Sequence, residues 1–463
     1  MNGIMEIKGK KALVLGLGLS GEAAAELLLK EGASVTVIDD GAGPLLQERG
    51  ARLSEMGAKV VLGRGGTGAA GSFDLAVLSP GIPPSHPALV RAREMGIPVA
   101  GEVELAARFL PGPVIAVTGT NGKTTTVSLI VEMFLRAGLP AVAAGNIGYP
   151  LSRVALEKKT GLTVVAEISS FQLEGAGFFR PGTAVFLNLD PDHLDRYPEM
   201  SDYLAAKLRI FRDQGPGDRA VMPERLLPLL GKAVPGGVEI RTWGGREGMV
   251  REEGGSIWLV RPAGRERICK ESEILLRGPH NRENVMAAAA AAVLAGLPAG
   301  EVGAAVRSFR GLPHRLEYVA DIAGVRFYND SKVTNPGAVR AALKSFDRPV
   351  IWLAGGSDKN LDFSPLGPLL GRAVTLALLM GESREKLRCL VDGRVPFLTV
   401  SGLEEAVSEA FRRSGPGDVV LLSPGCASFD MFADYRERGD RFKEIVGKMS
   451  VQAVQTAQTV KTA

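Results

Sequence analysis

The stretch VIAVTGTNGKTTT, residues 114–126, places glycines, a lysine and hydroxyl side chains directly after an apolar run. A loop of this kind turns backbone N–H groups toward phosphate oxygens, while Lys123 can reach the β- and γ-phosphates and Thr124 can join a Mg²⁺ shell. A Walker A loop reads G-x-x-x-x-G-K-[ST], and Val117 stands where its first glycine belongs. The pattern therefore predicts a triphosphate site in a loop shorter than Walker A. The alternative is a solvated glycine turn that happens to carry a lysine.

Metal-ligating side chains follow the next two predicted strands. Glu167 ends LTVVAE, and Asp190, Asp192 and His193 follow TAVFLNL. A carboxylate at a strand end can complete the oxygen-rich octahedral shell of Mg²⁺, although each of these residues alone is more often a structural hydrogen-bonding group. Together with the lysine loop they favour a metal–phosphate site.

Lys207 lies in MSDYLAAKLRIF, which reads as a helix capped by Ser201 or Asp202. The residues three and four positions away from it are largely apolar, namely Tyr203, Leu204, Ile210 and Phe211. Such a lysine either extends its ammonium group to water or is held where its charge is costly and its chemistry is altered. The pattern leaves both possibilities open.

A second glycine loop stands near the start of the chain. Gly16-Leu17-Gly18-Leu19-Ser20-Gly21 matches G-x-G-x-x-G between a strand and a helix, and Asp39 ends the next strand. This context predicts a dinucleotide-type diphosphate site, for which NAD and a nucleotide sugar are both candidates. A glycine turn needed only for tight strand–helix packing is the alternative.

Short apolar strands alternate with helical stretches nearly throughout, which predicts an α/β protein with mostly parallel sheets. The 463 residues suggest about three domains. Breaks at FLPGPV and RSFRGLPHRLE place them at 1–107, 108–308 and 309–450, and the polar residues 451–463 read as a disordered tail. In the last domain, YNDSKVTN, LAGGSDKNLDF and LLSPGCASFD put polar side chains after successive strands, at the expected ligand face.

Composition narrows the function class. A net charge of +4 without clustered Lys and Arg does not point to nucleic acid as a partner. Three widely separated cysteines form neither a disulfide framework nor a zinc spacing. The start of the chain lacks the apolar region of a signal peptide, and the longest apolar run, VMAAAAAAVLAGLP, is too short to cross a bilayer. We expect a cytoplasmic protein without a membrane partner, acting as a monomer.

Taken in order along residues 10 to 445, the motifs resemble the Mur ligases, which add amino acids stepwise to the UDP-linked peptidoglycan precursor. The resemblance rests on GTNGKTTT, EISSFQLE, LNLDPDHLDRY, AAKLRIF, GPHNRENVMAAAAA, GLPHRLE, NDSKVTNP, GGSDKNLDF and LSPGCASFD. SSFQLE, GGSDKNLDF and SPGCASFD are most similar to the members that add D-glutamate.

The resemblance implies a Rossmann-like N-terminal domain for UDP, a central ATPase domain with a short G-x-x-G-K-[ST] loop, and a Rossmann-like C-terminal domain for the amino acid. The implied reaction is ligation of D-glutamate to UDP-N-acetylmuramoyl-L-alanine. ATP would convert the substrate carboxylate into an acyl phosphate, which the amine of D-glutamate attacks through a tetrahedral intermediate.

The family pattern also assigns roles to residues of this sequence. The ATP contacts implied are Gly119, Thr120, Asn121, Gly122, Lys123, Thr124, Thr125, Asn284, Arg315, Asp330 and Lys332. Two Mg²⁺ ions would be held by Thr124, Glu167, His193 and a carbamylated Lys207, so that the catalytic set is Lys123, His193 and Lys207. The UDP substrate would contact Gly18, Ser20, Gly21, Asp39, Asn146 and His193, and D-glutamate would contact Lys359, Ser428 and Tyr435.

Some members of the family carry Thr-Arg where this sequence has Asp40-Gly41, so the first-domain contacts are carried over less securely. The alternatives are a sister ligase, a folate polyglutamate ligase, an NAD-dependent oxidoreductase and a non-catalytic nucleotide switch. The N-terminal glycine loop counts against the folate enzyme, and GTNGKTTT counts against the oxidoreductase. GGSDKNLDF with SPGCASFD counts against the sister ligases, and the switch would not need the C-terminal lysine and serine loops.

Overall fold

The computed structural model describes residues 7–63, 72–83, 85–147, 149–192, 196–197, 199–358 and 361–462, with side chains up to residue 450. The chain divides into two compact units, Met1–Glu273 with Asn284–Arg307, and Ile274–Glu283 with Ser308–Ala463. Strands and helices alternate through both units, so the α/β class predicted from the sequence is confirmed.

The first unit begins with a five-stranded parallel sheet in the order β3-β2-β1-β4-β5. Its strands are β1 Lys11–Leu15, β2 Ser34–Asp39, β3 Lys59–Leu62, β4 Leu75–Leu78 and β5 Val99–Gly101. The helices are α1 Leu19–Lys30, α2 Pro44–Glu55, α3 Pro87–Glu94 and α4 Glu102–Ala107. The strand order reverses between β1 and β4, so the loop after β1 opens at the point where such sheets bind ligands.

The second sheet of the first unit has nine strands in the order β14-β13-β12-β11-β10-β9-β6-β8-β7. They are β6 Val114–Thr118, β7 Ala141–Gly145, β8 Thr163–Glu167, β9 Thr183–Phe186, β10 Arg219–Pro223, β11 Glu239–Trp243, β12 Val250–Glu253, β13 Ser256–Arg261 and β14 Gly264–Lys270. Strands β6 to β11 pair in parallel, and β12 to β14 continue as an antiparallel meander. The helices are α5 Lys123–Arg136, α6 Leu151–Glu157, α7 Ser170–Glu174, α8 Met200–Leu208, α9 Leu227–Leu230, α10 Pro279–Leu294 and α11 Ala299–Ser308.

The cores of these two sheets interlock. Val103 and Ala106 of α4, which follows the first sheet, pack in the core of the second, whereas Ala155 and Leu156 of α6 pack in the core of the first. The carboxylate of buried Glu102 accepts the backbone N–H of Ser152 at 2.6 Å, which joins the same two helices. This exchange explains why both sheets belong to one compact unit.

The second unit holds a six-stranded sheet in the order β15-β16-β20-β17-β18-β19, parallel except for the β15–β16 pair. Its strands are β15 Glu317–Ile322, β16 Val325–Asn329, β17 Val350–Gly355, β18 Val374–Met380, β19 Phe397–Thr399 and β20 Val419–Leu422. The helices are α12 Pro336–Leu343, α13 Gly367–Ala373, α14 Arg384–Val391, α15 Leu403–Arg412 and α16 Tyr435–Thr462.

Helix α16 extends through residues 451–462, where the sequence analysis expects a disordered tail. That stretch contains neither glycine nor proline, so nothing in the backbone stops a helix that has already begun. Within the described ranges, none of the helices combines the length and apolarity needed to span a membrane.

Candidate active site

The loop Gly119–Gly122 lies between the buried strand β6 and helix α5, where the second sheet reverses its strand order. Gly119 and Gly122 have φ of 146° and 83°, values that side chains other than glycine rarely adopt. A β-carbon at Gly119 would lie 2.9 Å from Cβ of Leu187, and one at Gly122 would overlap the Asn284 amide. Both glycines are therefore required by close approach as well as by backbone conformation. The side chain of Asn284, a predicted ATP contact, lies beside Gly122.

Two lysines converge on this loop. Lys123 Nζ donates to the carbonyl oxygens of Gly119 and Thr120 at 2.9 and 2.8 Å, and Lys207 Nζ donates to the same Gly119 oxygen at 2.8 Å. Lys207 is only 1% exposed, so the alternative in which its ammonium group reaches water is excluded. The ring of Tyr203 lies 4.5 Å from its Nζ. Burial, with a smaller effect of neighbouring Lys123, lowers the pKa of Lys207 to about 6.

Glu167 ends strand β8 and is buried beside the loop. Its Oε2 accepts the hydroxyl of Thr124 at 2.8 Å, and its Oε1 accepts the amide of Asn146 at 2.9 Å. One buried carboxylate is thus held by a hydroxyl from α5 and an amide from the end of β7. These oxygen donors suit a hard cation such as Mg²⁺.

The remaining predicted metal ligand, His193, lies outside the described residues. In the part of the chain that the structure describes, no group of three or more His, Cys, Asp or Glu side chains could by itself hold a metal ion. The predicted Mg²⁺ ligands differ from such a group, because they include the hydroxyl of Thr124 and a modified Lys207. Asp192 is close enough to oppose the fall in the pKa of Lys207.

Asn188 is not among the predicted site residues, yet the structure places it against the loop Gly119–Gly122. Its Oδ1 accepts the backbone N–H groups of Thr120 and Asn121 at 3.1 and 2.8 Å, and its Nδ2 donates to the Asn121 carbonyl at 3.0 Å. Asn188 stands in the quoted LNLDPDHLDRY motif, two residues past the end of β9. Its position inside that motif was the one sequence feature that could have pointed to Asn188. The pairing of β6 with β9 is what brings it to the loop.

The N-terminal glycine loop, residues 16–21, is tightly closed. Gly21 packs so closely on Gly16 that a β-carbon there would overlap the Gly16 carbonyl oxygen. Asp39 accepts the backbone N–H groups of Leu17 at 2.6 Å and Gly41 at 2.8 Å, so its carboxylate shapes the loop. Around Gly18 there is open space, since no atom lies within 4 Å of a β-carbon placed there. Ser20 lies in the first turn of α1.

A cavity of about 250 Å³ lies within the first unit, between loops of its two sheets. Its lining includes Ser79, Ile82 and Arg93 from loops and helices of the first sheet, and Phe171, Gln172 and Arg196 from those of the second. The guanidinium carbon of Arg196 stands 4.2 Å from the Phe171 ring centre, and one of its nitrogens reaches Glu174 at 2.6 Å. Its Nε is buried and has no hydrogen-bond partner among the described residues. The lining also includes the carboxylates of Glu102 and Glu174, so charges of both signs border this cavity.

In the second unit, Asp330 follows β16 and is fully buried. Its oxygens accept the backbone N–H of Leu316 at 3.0 Å and the hydroxyl of Ser423 at 3.2 Å. Burial raises the pKa of Asp330 to about 7, and the nearby Arg315 partly opposes that rise. Arg315 and Asp330, both predicted ATP contacts, thus lie close together.

Other predicted residues of the second unit cluster on neighbouring loops. Lys332 Nζ lies 5.9 Å from the centre of the Tyr435 ring, and the hydroxyl of Ser331 donates to the Tyr435 carbonyl at 2.8 Å. Ser428 is buried in the loop after β20. Lys359 lies outside the described residues.

Three family models match successive parts of the chain. The Mur ligase MurD-like N-terminal domain matches residues 10–101, the Mur ligase middle domain matches 117–292, and the Mur ligase glutamate ligase domain matches 314–426. The three matches agree with the predicted plan of three α/β domains. The bounds 1–107, 108–308 and 309–450 stay predictions.

Relatives and solved structures of the same kind span nearly the whole chain. A protein of Acidobacterium capsulatum named UDP-N-acetylmuramoylalanine--D-glutamate ligase is 44% identical over 448 residues, 96% of this chain and 97% of the relative. A protein of the same name from Pelotomaculum thermopropionicum is 42% identical, over 94% of this chain and 97% of its own. The crystal structure of MurF ligase from Thermotoga maritima in complex with ADP shares the fold, with a TM-score of 0.59, 15% identity and 96% of both chains covered.

Proposed function

The chain belongs to the Mur ligase family, and from that premise we propose that it ligates D-glutamate to UDP-N-acetylmuramoyl-L-alanine while ATP is cleaved to ADP and phosphate, a step of peptidoglycan precursor synthesis. The observation that carries the proposal is the convergence of Lys123, Lys207 and Glu167 on the loop Gly119–Gly122. Relatives at 41–44% identity carry the name of this ligase. The matched glutamate ligase domain supports the choice of amino acid.

The reaction must activate a carboxylate, which is a poor acyl donor. The γ-phosphoryl group of ATP moves to a carboxylate oxygen of the UDP substrate, which forms an acyl phosphate and releases ADP. The amine of D-glutamate then attacks the acyl carbon and loses a proton, and the tetrahedral intermediate expels phosphate to leave the amide. Positive charge is needed because the reacting groups are anions. Lys123, at the start of α5, supplies such charge beside the transferring phosphate.

The magnesium ligands we propose are the Thr124 hydroxyl, Glu167, His193 and Lys207 as a carbamate, shared between two ions. The fit rests on donor chemistry, since the oxygens of Thr124 and Glu167 already meet in the first turn of α5, directly after the loop. Bound Mg²⁺ would neutralise charge on the phosphate oxygens. Thr124 and Glu167 orient each other, and Asn146 holds the second carboxylate oxygen in place.

The state of the Lys207 amine supports the proposed carbamate. With a pKa lowered to about 6, the amine is largely neutral at pH 7, and the neutral form is the one that attacks CO₂. The product is a carbamate and a released proton. The modification would turn a buried cation that disfavours a nearby metal into an oxygen ligand. The hydrogen bond of Lys207 to the Gly119 carbonyl keeps that amine at the loop.

We assign the UDP substrate to the N-terminal glycine loop, through Gly18, Ser20, Gly21 and Asp39, and to Asn146 and His193. The remaining ATP contacts are Thr120, Asn121, Thr125, Asn284, Arg315, Asp330 and Lys332. D-glutamate is assigned to Lys359, Ser428 and Tyr435, where an ammonium group and a hydroxyl suit its carboxylates. The proposal includes a cytoplasmic monomer without nucleic-acid or membrane partners.

The test is release of ADP with a panel of amino acids. We expect release that requires both UDP-N-acetylmuramoyl-L-alanine and D-glutamate, and omission of either should reduce it to background. Equal release with L-lysine or meso-diaminopimelate would refute the amino acid assignment. Release with a folate substrate and L-glutamate in place of the UDP precursor would move the chain to the alternative ligase class.

A further inference from the structure

The phosphate loop is closed by a side chain from a different strand. In the described structure the Asn188 carboxamide makes three hydrogen bonds to the backbone of Thr120 and Asn121, and the Thr120 N–H also reaches the Asn188 carbonyl at 3.1 Å. The loop backbone of these two residues is therefore bound to the chain just after β9. A Walker A loop would have more residues of its own at this point.

Two consecutive N–H groups that point to one oxygen form the arrangement with which backbone loops bind anions. Here that oxygen is Oδ1 of Asn188, so the amides of Thr120 and Asn121 are already engaged by protein. The first intrahelical hydrogen bond of α5 runs from Thr126 N to the Gly122 carbonyl at 2.9 Å. The backbone contacts to phosphate therefore belong to the turn that begins at Gly122, and the ATP contacts assigned to Thr120 and Asn121 are made by their side chains.

We infer that Asn188 is a positioning residue for ATP, which substitutes from the neighbouring strand for the residues that this short loop lacks. It acts by holding Thr120 and Asn121 so that Gly122 and Lys123 face the phosphates. Only an amide fits the observed set, because one atom must accept two N–H groups while the adjacent atom donates to a carbonyl. The inference rests on the proposed function, since it requires ATP at this loop.

The experiment compares Asn188→Asp and Asn188→Ala with Gln214→Glu. Gln214 is buried, and its amide donates to the carbonyl oxygens of Pro181 and Arg219, both at 3.0 Å, at the start of β9 and β10 and so at the opposite edge of the same sheet. At Asn188 the same change removes the donor, places a carboxylate oxygen against the Asn121 carbonyl and adds negative charge near the phosphates. We expect KM for ATP and Kd for ADP to rise at least tenfold in Asn188→Asp, and KM for the other two substrates to stay at the wild-type value. Gln214→Glu should lower the unfolding temperature and leave KM for ATP at the wild-type value.

Asn188→Ala should also raise KM for ATP, but less than Asn188→Asp, because it loosens the loop without adding charge. A wild-type KM for ATP in Asn188→Asp would overturn the inference, and so would an equal rise in all three KM values with a lowered unfolding temperature. If the wild-type protein itself neither binds ADP nor releases it from ATP in the amino acid panel, the proposed function fails. An active wild type with unaffected Asn188 variants refutes only the role of Asn188.

Discussion

Alanine at Gly122 should damage ATP use through a neighbour rather than through the backbone alone. Gly122 has φ of 83° and ψ of −9°, a left-handed conformation that costs an alanine about 1–2 kcal/mol. The added β-carbon would lie 2.1 Å from Oδ1 of Asn284, whereas ordinary contacts begin at 3.4 Å. The Asn284 amide must therefore retreat by about 1.3 Å, the difference between those distances.

A misplacement of about 1 Å at a site that positions substrate can cost roughly 100-fold in rate. We therefore expect kcat/KM for ATP to fall about 100-fold in Gly122→Ala. The assay is the initial rate of ADP release at varied ATP, with the UDP substrate and D-glutamate saturating. Binding of ADP to the free protein, followed by calorimetry, should weaken in parallel because the displaced groups lie at the nucleotide loop.

Gly138→Ala is the matched control, since Gly138 follows the other end of the same helix. Its φ is 73°, so the alanine meets the same backbone cost, but no atom lies within 4 Å of its β-carbon. This variant should lose stability comparably and keep the wild-type kcat/KM. Equal kcat/KM values in the two variants would refute the argument that displacement of Asn284 is responsible.

Three further substitutions test other parts of the site. Lys123→Ala should abolish turnover, and near-normal ADP release would show that this loop does not hold the phosphates. Lys207→Ala should cause severe loss of ligation, whereas a fully active variant would leave Lys207 with a packing role only. Asp330→Asn should stabilise the ligand-free protein, because burial raises the pKa of Asp330 from 3.8 to about 7 while an amide can still accept from Leu316 and donate to Ser423. As pH rises from about 4 to 7, the Asp330 carboxyl ionises in the unfolded chain before it does in the folded protein, so the free energy of unfolding of the wild type falls. The extra free energy of unfolding of Asp330→Asn, measured in urea, should therefore grow over that window to at most ~4 kcal/mol and then level off. A gain that is equal at pH 5 and pH 8 would contradict this reasoning.

Local sequence patterns determine much of the architecture. Glycine turns between apolar runs and helical stretches predict both glycine loops, because left-handed turns such as those at Gly16 and Gly122 require residues without a β-carbon. The α/β class is also predicted locally, because the hydrophobic periodicity that separates strands from helices can be read from short stretches of sequence.

The sequence by itself determined which residues carry reactive groups, such as Lys123 and Glu167, since short motifs encode loop conformation and side-chain chemistry together. Only the tertiary structure decided between the two alternatives for Lys207, because burial depends on what packs over a helix from elsewhere in the chain. The contacts of Asn188 were also decided there. It meets Thr120 only because β6 and β9, distant along the chain, pair in one sheet and bring their carboxyl ends together.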